Sequence, residues 1–130
     1  MPERIGPIQP FFIVANLARA VDFYTERLAF EVRYSGPEGD PFFAIVGRDS
    51  VQLHLKEISL DVHPQPNSTR HKWAPWDAFV YTENPGSLAE EFTGRGLKLH
   101  TDLEVTGEGL SGFAVQDSDG YVLFFGRPAA

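Results

Sequence analysis

The sequence predicts an α+β fold in which two tandem βαβββ modules form a curved mixed sheet around a cavity. The first observation behind this prediction is an internal repeat, which brings the start of each half into register when the chain is shifted by 68 positions. Later segments align with a shift of 70 positions. The identical pairs include Phe11 with Phe79, Asn16 with Asn84, Thr25 with Thr93, Arg27 with Arg95, Phe43 with Phe113, Ala44 with Ala114, Asp49 with Asp119 and Leu53 with Leu123. The second observation is that both halves show the same order of predicted elements.

In the first half, a β-branched and aromatic run over residues 8–15 predicts a strand. Asn16 is a suitable N-cap, and apolar residues at helical spacing follow as far as Leu28. The remaining predicted strands of this half cover residues 30–35, 42–46 and 51–56, and the last two form a hairpin.

The second half repeats this order. Asn84 and Pro85 begin a predicted helix that Gly94 and Gly96 end. The predicted strands cover residues 76–82, 97–103, 113–116 and 121–125. Residues 59–75 are polar and contain three prolines, which is typical of a linker. We therefore expect one domain over residues 1–130, with modules at about 5–58 and 76–127, whose helices pack outside a shared hollow.

Composition and charge narrow the classes of function. The chain has 130 residues, no cysteine and a net charge of −7. Thiol chemistry and cysteine-bound metals are therefore excluded. No basic patch for nucleic acid and no membrane-span-length apolar run is visible, so we expect a soluble, cytoplasmic protein. An acidic surface favours cationic ligands, although acidity kept for solubility is the more common explanation.

Two segments carry a resemblance to a known family. The run over residues 14–24, followed by 28–31, is similar to the first strand and helix of the vicinal-oxygen-chelate superfamily, and the turn at 117–121 resembles its signature turn. This superfamily includes glyoxalases, bleomycin-resistance proteins and extradiol dioxygenases. The resemblance covers nearly the whole chain and implies the glyoxalase/bleomycin-resistance fold. It is weak as to function, because the superfamily contains both enzymes and non-enzymatic drug binders.

The resemblance also implies where a divalent metal such as Zn²⁺, Ni²⁺ or Fe²⁺ would bind in an enzyme. The corresponding positions here are Gln9, His54, Asp77 and Phe124, and a register slip of two would exchange His54 for Gln52. A benzyl group at position 124 cannot coordinate a metal or act as a base. Each donor also has a structural interpretation: His54 as a cavity-wall residue, Gln9 as a backbone partner and Asp77 as a solvent-facing residue.

The absence of a carboxylate at position 124 favours the bleomycin-resistance branch, whose members are metal-free homodimers that hold a flat, cationic antibiotic. The resemblance therefore implies a protein without cofactor that binds a small cationic or aromatic molecule in a dimer cavity, and it favours binding over catalysis while leaving an enzyme open. The candidate ligand-binding residues are Gln9, Phe11, Gln52, His54, Trp73, Trp76, Phe113 and Phe124. Residues 107–112 depart from the Pro-Trp-Gly run of that branch, which argues against bleomycin itself as the ligand. The alternative is a metal-dependent lyase or dioxygenase that uses Gln9, His54 and Asp77.

Overall fold

The structure, a computed structural model, describes residues 2–130, which form eight strands and two α-helices. The first module comprises β1 (Phe11–Val14), α1 (Leu17–Leu28), β2 (Glu31–Gly36), β3 (Phe43–Arg48) and β4 (Val51–Glu57). The second comprises β5 (Ala78–Tyr81), α2 (Pro85–Gly94), β6 (Thr101–Val105), β7 (Leu110–Gln116) and β8 (Val122–Pro128). The predicted order of elements is confirmed in both modules. Among residues 2–130, no helix is long and apolar enough to cross a membrane.

Each module forms a four-stranded mixed sheet. Sheet A has the order β1-β4-β3-β2 and sheet B the order β5-β8-β7-β6, and in each sheet only the first pair is parallel. Phe11 lies opposite His54 in sheet A, and Phe79 lies opposite Phe124 in sheet B. Equivalent residues of the two modules are therefore 68 positions apart in the first strand and 70 positions apart in the last strand, as the sequence repeat predicts.

Several predicted boundaries differ from the structure. β1 begins at Phe11, and Ile8 before it is 94% exposed, because Pro7 and Pro10 prevent regular strand pairing there. Residues 97–100 are not in a strand, and β6 occupies Thr101–Val105. The linker contains a short 3-10 helix at Asn67–Thr69.

The helices start where the sequence predicts. The Asn16 side chain accepts a hydrogen bond from the Arg19 backbone N–H at 2.9 Å, and Asn84 accepts one from Ser87 at 3.0 Å. These caps satisfy amide groups that have no partner within the helix. The two helices therefore begin at equivalent points of the repeat.

Both helices pack on one side of the sheets, where the two modules share a single core. From α1 the buried residues include Ala20, Tyr24 and Leu28, and from α2 Ala89 and Phe92. The helix-covered faces of both sheets contribute to the same cluster. Each helix contributes its apolar face to this core and leaves its polar face exposed, as Arg19 and Glu26 of α1 show. The helices therefore cover one side of the sheets, and the expected α+β arrangement of two βαβββ modules is confirmed. The opposite face of each sheet is left open.

The modules meet at two junctions related by the repeat. At the first junction, the β7–β8 turn (residues 117–121) packs against β1 and α1. Tyr24 Oη donates to Asp117 Oδ2 at 2.6 Å, and the Ala15 N–H donates to Asp119 Oδ1 at 3.0 Å. Burial raises the pKa of Asp117 to about 6, although the hydrogen bond from Tyr24 acts to lower it. Burial likewise raises the pKa of Tyr24.

An aromatic pair completes the first junction. The rings of Phe12 and Tyr121 stack with centroids 4.2 Å apart, and Tyr121 Oη donates to the Ile13 carbonyl at 2.7 Å. Both rings belong to the core, since each residue is only 6% exposed. The first junction therefore combines buried ring packing with hydrogen bonds between the modules, and it leaves Asp119 Oδ2 buried without a hydrogen-bond partner among residues 2–130.

At the second junction, the β3–β4 turn (residues 48–51) packs against α2 and the end of β5. Arg48 donates to both oxygens of Glu91, at 2.7 and 2.9 Å, and to the Leu28 carbonyl at 3.1 Å. The hydrogen bond from Arg48 lowers the pKa of Glu91. An ion pair at this half-exposed site contributes less than a buried one would, because water screens it.

Candidate functional site: the two open sheet faces

The open side of sheet A, here called face A, carries Gln9, Phe11, Tyr34, Phe43, Gln52 and His54. Strand alternation places them there, because Phe12 and Val14 of β1, like Leu53 and Leu55 of β4, point into the core. The Phe11 ring lies 6.3 Å from that of Phe43 and 6.2 Å from that of His54. The result is an aromatic surface beside a pocket of about 460 Å³.

The structure brings Gln9 and His54 together at one end of face A. His54 Nε2 lies 2.7 Å from Gln9 Oε1, and the His54 backbone N–H donates to the Pro10 carbonyl at 2.9 Å. An amide oxygen can only accept, so in this contact His54 Nε2–H donates to Gln9 Oε1. The pair offers one amide group and one imidazole to a ligand.

Gln52 lies on the same face but is held by a neighbouring residue. Arg33 donates to Gln52 Oε1 at 3.0 Å and to the Asp49 carbonyl at 3.0 Å. A Cβ added to Gly47 would lie 2.8 Å from Arg33 Nη1, so the guanidinium lies directly over this glycine. Face A thus has a cation fixed along one margin, which the sequence analysis did not identify.

A further cavity of about 570 Å³ adjoins face A beneath the linker. Its lining includes Phe11, Asp61, His63, Asp77 and Tyr121. Phe11 lines this cavity and also lies on face A, so the cavity and face A are continuous.

The open side of sheet B, here called face B, carries Trp76, Phe79, Tyr81, Ala114 and Phe124. The Phe124 ring lies 4.8 Å from the ring of Trp76 and 5.7 Å from that of Phe79. Phe124 is only 3% exposed, because Trp76 packs over it, so Trp76 and Phe79 form the accessible part of this second aromatic surface. A pocket of about 380 Å³ lies beside it. Trp76 and Phe124, both predicted to bind ligand, are thus in contact with each other.

Two glycines allow the Phe124 ring to lie flat on the sheet. A Cβ added to Gly112 would lie 2.7 Å from Phe124 Cε1, and one added to Gly126 would lie 2.6 Å from the same atom. Any larger residue at either position would have to displace the ring. The glycines flank Phe124 on β7 and β8, and they are the signal by which sequence reasoning could have found this arrangement.

Three predicted site residues have other surroundings. Phe113 is fully buried in the core, where it contacts Phe92 and Phe125, so its position contradicts a ligand-binding role. Its side chain points away from face B because it alternates with Ala114 along β7. Trp73 lies in the linker, 80% exposed, with its ring 5.3 Å from that of His71.

Asp77 binds backbone instead of facing solvent. Its Oδ1 accepts from the Asn67 N–H at 2.7 Å, and its Oδ2 accepts from the Val122 N–H at 2.8 Å. The carboxylate thereby ties the linker to the start of β8. Both oxygens of the predicted metal donor are therefore already engaged.

The donor set of the chain does not fit a divalent metal. Within residues 2–130, no three His, Cys, Asp or Glu side chains are grouped so that they could hold one. Gln9 and His54 lie on face A, whereas Asp77 belongs to the sheet B module, and Phe124 occupies the expected carboxylate position. Two neutral donors alone provide weak coordination.

Comparison with known proteins agrees with this architecture. A sequence model of the Glyoxalase/Bleomycin resistance protein/Dioxygenase superfamily matches residues 4–125, so the chain belongs to this superfamily. No match is found among curated proteins. Among solved structures, the bleomycin-binding protein of the bleomycin-producing Streptomyces verticillus, complexed with copper(II)-bleomycin, is 23% identical with a TM-score of 0.69. That alignment covers 100% of this chain and 99% of the other.

Two further structures have the same fold. TnmS3, an antibiotic binding protein from Streptomyces sp. CB03234, is 18% identical with a TM-score of 0.72, and the alignment covers 98% of this chain and 100% of that one. A glyoxalase-related enzyme from Clostridium phytofermentans is 14% identical with a TM-score of 0.72, at 97% coverage of both chains. At these identities the similarity shows the fold alone, because binders and enzymes share it.

Proposed function

We propose that this protein binds a flat aromatic small molecule bearing a cationic group, between face A of one copy and face B of a second copy. The observation that carries this proposal is that one chain leaves two aromatic faces uncovered. Phe11 and Tyr34 on face A are 54% and 55% exposed, and Phe79 and Tyr81 on face B are 41% and 56% exposed. Exposed apolar patches of this kind are typical of binding or association surfaces.

A homodimer would cover both faces at once. If a twofold axis relates two copies, face A of each meets face B of the other, and the assembly closes. The charges favour this pairing over like-with-like contact. Arg33 and Lys56 are on face A, and the pocket of face B is lined by two glutamates, Glu104 and Glu108, against one lysine, Lys72.

The two faces would divide the recognition of the ligand. The rings of Trp76 and Phe79 offer a stacking surface supported by the buried Phe124, and offset stacking of aromatic rings is favourable beyond the area it buries. Glu104 and Glu108 would attract the cationic group. Gln9 and His54 would hydrogen-bond polar atoms on the opposite side.

The structural relatives support a binding role at the level of the fold. One of them is described as a bleomycin-binding protein and another as an antibiotic binding protein. A role in antibiotic sequestration is consistent with a site that has aromatic faces and lacks a complete metal donor set. A cytoplasmic location remains a prediction from the sequence.

The proposal is tested by light scattering for the oligomeric state and by calorimetric titration with flat cationic drugs, bleomycin among them. Phe79→Ser should weaken binding roughly tenfold through loss of stacking. Leu60→Ser is the matched control, because Leu60 is a 95% exposed linker residue outside both faces. A monomer that binds no drug of the panel would contradict the proposal. One equivalent of tightly bound Zn²⁺, Ni²⁺ or Fe²⁺ per purified chain would overturn the metal-free site.

The proximity of the Gln9 and His54 side chains leaves one second candidate, a metal-dependent lyase or dioxygenase, which would require His54 Nε2 to release Gln9 and a third donor to join them. In that case His54→Ala should abolish both metal uptake and turnover. Metal retention by the variant would show that His54 is not a ligand.

A further inference from the structure

The second junction contains a pocket that the proposed ligand site does not use. The pocket has a volume of about 180 Å³, and its lining includes Val51, Val80, Tyr81, Leu88 and Phe92. An apolar cavity of about 150 Å³ in a protein core stays dry and binds benzene. The pocket is therefore large enough for a single aromatic ring.

The repeat explains why this space is empty. The shift of 68 positions places Phe12 on Val80, and the shift of 70 places Val51 on Tyr121. At the first junction the rings of Phe12 and Tyr121 stack at 4.2 Å and fill the space between the turn and the strand end. At the second junction two valines stand at the same positions, and both line the pocket. The pocket at the second junction therefore occupies the place that the rings of Phe12 and Tyr121 fill at the first junction.

The turn at the second junction also packs less closely. Asp119 at the first junction has a side chain only 1% exposed and accepts a hydrogen bond from the Ala15 N–H. Its counterpart Asp49 is 92% exposed. Exposed Asp49 and Ser50 belong to the pocket lining, so the pocket is open to solvent on the side of the turn.

The first junction also shows which polar group a ligand would carry. Tyr121 Oη donates to the Ile13 carbonyl at 2.7 Å. The equivalent of Ile13 is Tyr81, which lines the pocket at the end of the edge strand β5. A hydroxyl on a bound ring could donate to the Tyr81 carbonyl in the same way.

We propose that the pocket at the second junction binds a phenolic ring, which takes the place that Tyr121 and Phe12 occupy at the first junction. The ring would contact Val51, Val80 and Phe92, and its hydroxyl would donate to the Tyr81 carbonyl. This site lies on the core side of sheet B, because its wall includes core residues such as Phe92 and Phe125, and Tyr81 at the end of β5 is the residue that it shares with face B. The pocket would bind a small phenol independently of the ligand proposed for faces A and B.

The experiment uses the full chain with phenol and benzene as probes, followed by residue-resolved NMR. Phenol should shift the signals of Val51, Val80 and Leu88, and it should bind roughly fivefold more tightly than benzene through one added hydrogen bond. Phenol-induced shifts confined to faces A and B, or no shifts up to the solubility limit, would overturn the proposal. Equal affinity for phenol and benzene would overturn the role of the Tyr81 carbonyl.

Variants provide the second test. Val80→Phe and Val51→Tyr supply the rings of the first junction, so each should reduce phenol binding at this pocket at least tenfold. Phe79→Ser on face B is the control and should leave it unchanged. If a filling variant fails to fold, Leu88→Phe closes the pocket from α2 instead. Undiminished phenol shifts in a folded, filled variant would refute the assignment.

Discussion

Tyr24 of α1 and Asp117 at the β7–β8 turn lie 93 positions apart, and a buried hydrogen bond of 2.6 Å joins their side chains. The contact connects the helix of the first module to the closing hairpin of the second. It therefore helps set the relative position of the two sheets, and with it that of the two open faces.

Tyr24→Phe should destabilise the fold by about 1–3 kcal/mol, because the buried Asp117 carboxylate loses a donor that water cannot replace. Urea unfolding at pH 7 measures this difference. Tyr34→Phe is the matched control, since Tyr34 is 55% exposed and should change stability by less than about 0.5 kcal/mol. Equal losses in the free energy of unfolding for the two substitutions would show that the Tyr24–Asp117 hydrogen bond does not stabilise the fold.

Asp117 should make stability depend on pH. Its pKa in the folded protein is about 6, above the ordinary 3.8, so the folded state binds the proton more tightly than the unfolded state does. The resulting stabilisation is complete below about pH 3.8 and is lost as the pH rises through about 6. Asp117→Asn removes this titration.

The measurement compares urea unfolding of both proteins from pH 4 to pH 7. The wild-type protein should lose on the order of 2 kcal/mol relative to Asp117→Asn over this range. The other carboxylates titrate in both proteins and cancel in the difference. Parallel stability curves would refute the raised pKa.

Gly126→Ala should displace the Phe124 ring from face B. The new Cβ would meet Phe124 Cε1 at 2.6 Å and the Ser111 carbonyl oxygen at 2.6 Å, so we expect a loss of about 1–3 kcal/mol. Ligand binding at face B should weaken as well. Gly94→Ala is the control, because nothing lies within 4 Å of its added Cβ and the site is helical. Thermal unfolding of both variants checks the contrast.

The Arg48–Glu91 ion pair should contribute only modestly to the free energy of unfolding. The side chains are 31% and 36% exposed, so a double-mutant cycle with Arg48→Met and Glu91→Gln should give a coupling energy of about 0.5–1 kcal/mol. Because Glu91 has a lowered pKa, the coupling should be present near neutral pH and disappear as acidification protonates this carboxylate. A coupling that persists in acid would show that it does not depend on the charge of Glu91.

The sequence predicted the candidate site in part. The repeat sets Phe11 against Phe79 and His54 against Phe124, and the structure places each pair at equivalent register positions of the two sheets. The role of Phe113 could not be judged in the same way, because a Gly-rich strand of small and large residues does not show which side faces the core. Asp77 was also misjudged as solvent-facing, since its backbone partners lie in the linker and at β8.

The sequence by itself determined the order of elements, their division into two modules and the helix starts. These follow from local periodicity, capping residues and the repeat, which act over a few neighbouring positions. Only the tertiary structure decided that the two modules share one core on the helix side of the sheets and that the opposite sheet faces are left open. It alone revealed the Tyr24–Asp117 bond and the unfilled space beside Val51 and Val80. These features depend on contacts between distant residues, whose packing no local pattern encodes.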